Sequence, residues 1–200
     1  MDICLICGGP VNEDTSIFIE SGARAVCREC FNSSKFRDLA ASVVAQVYLE
    51  AALDETDRNP ALAADLCANS LSYEESSIAL SHLAYLTRDP RRARALLERS
   101  LAIDKHNMQA LLNMPMILAA VGEYALALDW LEKVSSLGDV WDTNFKRARF
   151  LRALGRAKES EEAYNQALRN PCLTCRKEYE RQWLSPDLWE WGITATRNQH

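Results

Sequence analysis

Residues 77–104 read SIALSHLAYLTRDPRRARALLERSLAID, residues 110–137 read ALLNMPMILAAVGEYALALDWLEKVSSL, and residues 144–171 read NFKRARFLRALGRAKESEEAYNQALRNP. Each stretch is apolar at helical spacing, is interrupted near its middle by Asp-Pro or Gly, and then resumes as a second helical pattern. Laid over one another, the stretches repeat. Ala93 and Ala127 lie 34 residues apart and Ser160 follows after 33. Leu97, Leu131 and Tyr164 keep the same step, as do Ser100, Val134 and Ala167, while Gly122 and Gly155 fall in the turns of the second and third stretches. Small residues at Ala93, Ala127, Ala148 and Ala167 let helices approach closely, and Leu97, Leu118, Leu131, Leu151 and Tyr164 fill the space between them. Such a helix pair has an apolar face that only a neighbouring pair can bury, so repetition is itself the route to a core.

The period and the small-residue positions resemble the tetratricopeptide (TPR) family over residues 72–171, about three units. There are departures: Pro115 occupies a position usually small, where it should kink the helix or delay its start, and a helix-closing Pro stands plainly only at Pro171. The resemblance implies that the first helix of each unit lines a concave binding face. In this register those positions are Glu75, Ile78, His82 and Tyr85, then Gln109, Asn113 and Met116, then Lys146, Arg149 and Arg152. His82, Tyr85, Gln109, Asn113, Met116, Lys146, Arg149 and Arg152 are taken as the peptide-binding groove. The last three step by three along one face and can converge on a carboxylate, so a partner with acidic residues is expected. The plainer alternative is a solvated stripe balanced by Glu159, Glu161 and Glu162. Arg88, Arg91, Arg92 and Arg94 around Asp89-Pro90 read as a charged turn and first helical turn.

A different chemistry opens the chain. Cys4 and Cys7 in MDICLICGGP and Cys27 and Cys30 in AVCRECF form two Cys-x-x-Cys pairs, which together use four of the seven cysteines. Two such pairs at this separation supply the four tetrahedral ligands of one structural Zn²⁺. Gly8 and Gly9 stand where a knuckle must turn, SIFIESGARAV reads as a small hairpin about Ser21-Gly22, and the second pair runs into an apolar helical pattern whose N-terminus should favour thiolates. Arg24, Arg28, Lys35 and Arg37 are placed to offset the negative charge of a four-thiolate site. A lobe this small has little core, so the expected role of the metal is structural.

Cys4-Leu-Ile-Cys7-Gly8, the hairpin, and Cys27-Arg-Glu-Cys30-Phe31 resemble the zinc-binding domain of the ClpX unfoldase over residues 1–40. The resemblance implies a module without catalysis of its own that dimerises and docks partners. No G-x-x-x-x-G-K-[ST] phosphate loop accompanies it, so the ATPase part of that family is not expected in this sequence.

Residues 36–70, broken at Asn59-Pro60, read as a helix pair, either a degenerate repeat or, preferably, a cap joining the zinc lobe to the array. After Asn170, CRKEYERQW reads as a closing helix, with Trp189, Trp191 and Ile193 packed on the array. The expected organisation is thus 1–34 zinc module, 35–71 linking or capping pair, 72–171 TPR-like repeats, and 172–200 capping helix and tail. Cys172 and Cys175 form a third Cys-x-x-Cys. A thioredoxin-like role would need a βαβ setting and a second metal two more ligands, with only Cys67, His82, His106 and His200 left to offer; incidental thiols are the preferred reading.

A formal charge of −5 disfavours nonspecific nucleic-acid binding, and no apolar run is long enough to span a bilayer. The start MDICLI is unlike a secretory signal, so a cytoplasmic location is the default expectation. The three histidines are scattered and no nucleophile–base set assembles, so no enzyme is expected. The sequence therefore leads to a mainly α chain: a TPR-like solenoid with a small N-terminal treble-clef zinc module. Its expected function is protein–protein interaction or adaptor work, the zinc module dimerising or docking and the groove taking a peptide or partner subunit. The rival reading is a nucleic-acid-associated regulatory zinc protein, and a thiol enzyme using Cys172 and Cys175 is a third.

Overall fold

In the computed structural model, residues 3–11, 16–19, 24–135, 143–169 and 172–184 are described. The Ser21-Gly22 turn and Trp189, Trp191 and Ile193 lie outside them. The chain forms two compact units, Met1–Thr87 and Arg88–His200. The division falls between the two helices of the first repeat.

The first unit opens with a hairpin, β1 (Ser16–Ile19) antiparallel to β2 (Arg24–Cys27), with Ile17 opposite Val26 and Phe18 opposite Ala25. Ile17 and Val26 share one face and Ala25 lies on the other, and all three are buried, so β2 is covered on both faces here. A single turn α1 (Arg28–Phe31), a 3-10 turn (Ser34–Asp38), and helices α2 (Ala41–Glu55), α3 (Pro60–Tyr73) and α4 (Ser77–Leu86) follow. The sequence pattern after Cys30 suggests one continuous helix; the structure breaks it twice. Ser33 Oγ donates to the Cys30 carbonyl at 2.7 Å and closes α1, and the run Asn32-Ser33-Ser34 favours such local bonds over continued helix. Phe31, Phe36 and Tyr48 meet edge to face at 5.0–5.4 Å and Tyr48 stacks on Tyr73 at 5.9 Å, so aromatic packing ties the lobe to α2 and α3.

Helices α5 (Pro90–Ile103), α6 (Met108–Ala120), α7 (Tyr124–Ser135), α8 (Thr143–Ala153), α9 (Ala157–Ala167) and α10 (Leu173–Leu184) make up the second unit. The helix starts are written in the sequence. Asn59 and Asp89 each precede a Pro at the first helical position and accept a backbone N–H, and Asn107 accepts from Ala110 N–H at 3.0 Å. The helix ends after α6 and α8 are equally local: Gly122 and Gly155 sit at φ +85° and +74°, with Glu123 N–H bonded to the Leu118 carbonyl and Arg156 N–H to the Leu151 carbonyl. Pro115 does not delay α6, which starts at Met108 and runs through it to Ala120. Only the N–H that would have met the Leu111 carbonyl is lost.

Ala93, Ala127 and Ala148 are fully buried and Ser160 nearly so, with the Ser160 hydroxyl donating to the Ala148 carbonyl at 2.8 Å across α8 and α9. The same seam occurs in α3, where Ala63, Cys67 and Ser70 are buried with the spacing of Ala93, Leu97 and Ser100, and Ser70 donates to the Ala45 carbonyl of α2 at 2.7 Å. The α2–α3 pair is therefore packed as a repeat is. Leu97, Met114, Ile117, Leu118, Phe150 and Leu151 form the core of the second unit.

Candidate metal centre and helical binding face

The Sγ atoms of Cys4, Cys7, Cys27 and Cys30 all lie within 4.8 Å of one another, with Cys7 and Cys27 at 4.0 Å. Four sulfurs about one Zn²⁺ at roughly 2.3 Å would stand about 3.8 Å apart, so the cluster is close to a tetrahedral donor set. Local folding builds it. Gly8 turns the knuckle at φ +69°, its N–H reaching the Cys4 carbonyl at 2.9 Å, and Cys4 N–H closes on the Gly9 carbonyl at 2.8 Å. Bridges Ile3 to Pro10 and Cys4 to Ala25 lay this knuckle against β2, whose last residue is Cys27. Knuckle, hairpin and helical turn are the parts of a treble clef.

The electrostatics of the four thiols is lopsided. Burial raises the Cys4 pKa, but N–H groups of Cys27, Cys7 and Ile6 aimed at its sulfur outweigh this and bring it down to about 6. Cys30 is pushed well up, by burial first and then by the neighbouring thiols Cys27, Cys7 and Cys4. At Cys27 the Cys30 N–H acts downward, yet burial and the thiols of Cys4 and Cys7 raise it on balance. The expectation that the helix start favours both thiolates is thus corrected: α1 is one turn, and burial together with the neighbouring thiols raises Cys27 and Cys30 on balance. Four thiolates cannot coexist this closely without a cation, and thiolate donors suit Zn²⁺, Cu⁺ or an iron–sulfur centre. These four residues could hold one metal ion. Arg28, Lys35 and Arg37 are exposed.

The groove positions divide between the two units. In the first, His82 on α4 is buried with Nε2 2.7 Å from Thr56 Oγ1 and stacks on Tyr85 at 6.1 Å, so His82 is a packed side chain more than a surface one. In the second, Gln109, Asn113 and Met116 on α6 and Lys146 on α8 are half-buried. Arg149 is only 6% exposed, pushed down in pKa to about 10 by burial, and donates to Gln182 Oε1 of α10 at 3.4 Å. Arg152 lies over the Trp183 ring at 4.8 Å and donates to the Trp183 carbonyl at 3.2 Å. Two members of the cationic stripe are therefore engaged by the chain's own last described helix. Sequence reasoning identified that helix but not the face it covers.

Within the Arg88–Arg94 cluster, Arg94 pairs with Glu98 and with Glu123, both at 2.8 Å. Glu159 pairs with Arg156 rather than with the stripe. The sulfurs of Cys172 and Cys175 are joined as a disulfide, where the sequence reading preferred incidental thiols.

With this geometry in view, the comparison with solved structures is informative. The chain is similar to the crystal structure of MamA, at TM-score 0.55 and 15% identity, covering 78% of this chain and 92% of that one. The fold is that of a TPR-like helical solenoid. No family model and no curated protein sequence matches the chain. Among the described residues, no helix is long and apolar enough to cross a membrane.

Proposed function

We propose that this chain is a protein-interaction adaptor without catalysis of its own, in which one structural Zn²⁺ on Cys4, Cys7, Cys27 and Cys30 maintains a docking or dimerising lobe and the TPR-like helices bind a peptide or partner subunit. The observation that carries the reading is the pairing of two features in one chain: repeated helix pairs sealed by Ala93, Ala127, Ala148 and Ser160, and a four-sulfur centre whose mutual repulsion calls for a cation. Repeat arrays present long side-chain-lined surfaces, and their common use is recognition. The likeness of the N-terminal lobe to the ClpX zinc domain supports docking, and Ile3, 61% exposed beside the knuckle, offers that lobe an apolar contact. Within the helical face, Lys146 with Gln109, Asn113 and Met116 is the proposed contact set, since Arg149 and Arg152 are held by α10.

Affinity isolation from the native cells tests this, comparing the full chain, a chain lacking residues 1–34, and Asn113→Ala/Lys146→Glu. A protein retained by the first two and lost from the third supports recognition by the helical face; one lost only with residues 1–34 supports docking by the lobe. Recovery of nuclease-sensitive material alone, weakening steeply with salt, would overturn the proposal in favour of phosphate binding.

A further inference from the structure

The third Cys-x-x-Cys is absorbed by neither the metal centre nor the helical face. Cys172 immediately precedes α10, and its sulfur accepts the backbone N–H of Cys175 at 3.2 Å, the bond an N-capping side chain makes to the third residue of a helix. The two Cα atoms are 5.3 Å apart and the sulfurs are joined. Both residues are half-buried, so a small reagent can reach them. Cys175 also belongs to the apolar cluster of Phe145, Tyr164, Ala167, Leu168, Tyr179 and Trp183 that holds α10 on α8 and α9. Tyr179 stacks on Phe145 at 4.5 Å and Trp183 on Tyr164 at 4.2 Å. One covalent bond therefore sits at the point where the helix is both capped and docked.

We infer that Cys172 and Cys175 form a reversible dithiol–disulfide site that sets how firmly α10 stays docked across α8 and α9, with a low-molecular-weight disulfide as oxidant and the corresponding thiol as reductant. The N–H and the helix start stabilise negative charge on the Cys172 sulfur, which makes it the attacking group. As a thiolate, its proton gone to solvent, it attacks one sulfur of the external disulfide; that S–S bond breaks and a small thiolate leaves, taking up a proton. Cys175 then loses its proton and attacks the Cys172 sulfur of the mixed disulfide, expelling the second small thiol. Two protein thiols are oxidised by two electrons and one external disulfide is reduced to two thiols. The closed form fixes the first turn of α10, the turn whose formation is most costly in a helix. The open form leaves a helix of half-exposed packing free to fray, which changes the cover over Arg149 and the hold on Arg152.

The test uses the full, zinc-loaded chain in mixtures of reduced and oxidised glutathione, with differential alkylation mapped by peptide mass spectrometry and amide exchange followed over residues 173–184. Half-oxidation of Cys172 and Cys175 at an intermediate ratio is expected, with exchange in α10 about tenfold faster when reduced. Cys172→Ser/Cys175→Ser should exchange at the fast rate in every mixture. Cys175→Ala retains the capping sulfur and separates loss of the bond from loss of the cap; it should stop at the mixed disulfide on Cys172, whose level follows the glutathione ratio, while α10 exchanges at the fast rate throughout. The inference is overturned if the pair stays reduced throughout, stays oxidised throughout, or changes state with no change in α10. It is also overturned if a second equivalent of zinc is bound and is lost with these cysteines, which would make them metal ligands. None of these readouts involves partner binding or residues 1–34, so they stand or fall apart from the adaptor proposal.

Discussion

Cys67 sits fully buried in the middle of α3, and burial alone pushes its thiol from the ordinary 9.0 up to about 12. A folded-state pKa above the unfolded one means that the fold retains the neutral thiol. Its contribution is complete below about pH 9 and drains away as the pH climbs towards the folded value. At about pH 10.5 the wild type should have lost about 2 kcal/mol through this group that Cys67→Ala does not lose. The substitution leaves a small cavity costing about 1 kcal/mol at neutral pH, so the two stability curves should cross in the alkaline range. Denaturant melts at pH 8 and 10.5 check this; parallel curves would mean that the thiol is hydrated in solution. The metal-centre cysteines show the same physics with the opposite remedy. There, N–H donors bring Cys4 down while burial and the neighbouring thiols push Cys30 up, a conflict that a shared cation would resolve.

At the level of helices and turns, the joints between paired helices are set by single residues. A Cβ on Gly122 or Gly155 would meet nothing within 4 Å, so substitution there costs only the left-handed backbone. Gly155→Ala should lower stability by about 1 kcal/mol, and Gly155→Asn by clearly less, since Asn tolerates this conformation. Equal losses in thermal melts would show that packing, not φ, decides. Removing a capping side chain acts at the other end: Asp89→Ala should cost about 1 kcal/mol through the orphaned Arg91 N–H. These signals are local, which is why the helices, the turns at Gly122 and Gly155 and the two cysteine pairs were legible in the sequence. What escaped it depends on distant partners. The α2–α3 seam was hidden because Ala63 and Ser70 precede Ala93 and Ser100 by 30 residues, not 33 or 34, and Cys67 stands in the place of Leu97. The docking of α10 over Arg149 was hidden because a helix rich in Arg, Lys and Glu does not announce that Tyr179 and Trp183 are its buried face. The Cys172–Cys175 bond was discounted for lack of a βαβ setting, although a helix start alone brings the two sulfurs together.

For the molecule as a whole, the chain divides into two compact units, and that decides how metal loss should propagate. In the first unit, Val26, Phe36, Val44, Val47 and Leu80 are fully buried, and Phe31, Phe36, Tyr48 and Tyr73 link the lobe to α2 and α3. Among the described residues of the lobe, Cys4, Ile17, Ala25 and Val26 form only a small buried set, so the proposed metal is expected to supply much of its folding free energy. The second unit is held by Leu97, Met114, Ile117, Leu118, Phe150 and Leu151. Chelation at neutral pH should therefore release one equivalent of metal and raise amide exchange over residues 24–31 about a hundredfold or more. A smaller rise should spread into α2 through Tyr48, while residues 108–167 should stay within about twofold of their starting rates. Cys4→Ser or Cys27→Ser should reproduce the pattern without chelator, because three thiols bind the ion far more weakly than four. Protected exchange over 24–31 after complete metal loss would show that the hairpin and its aromatic anchor suffice without an ion. Loss of protection in α6 to α9 would show that the repeats depend on the lobe. The predicted asymmetry follows from where the described apolar area is buried: the repeats bury theirs against one another, and the lobe, with few described buried apolar residues, would gain most from the cation that its crowded thiols can hold.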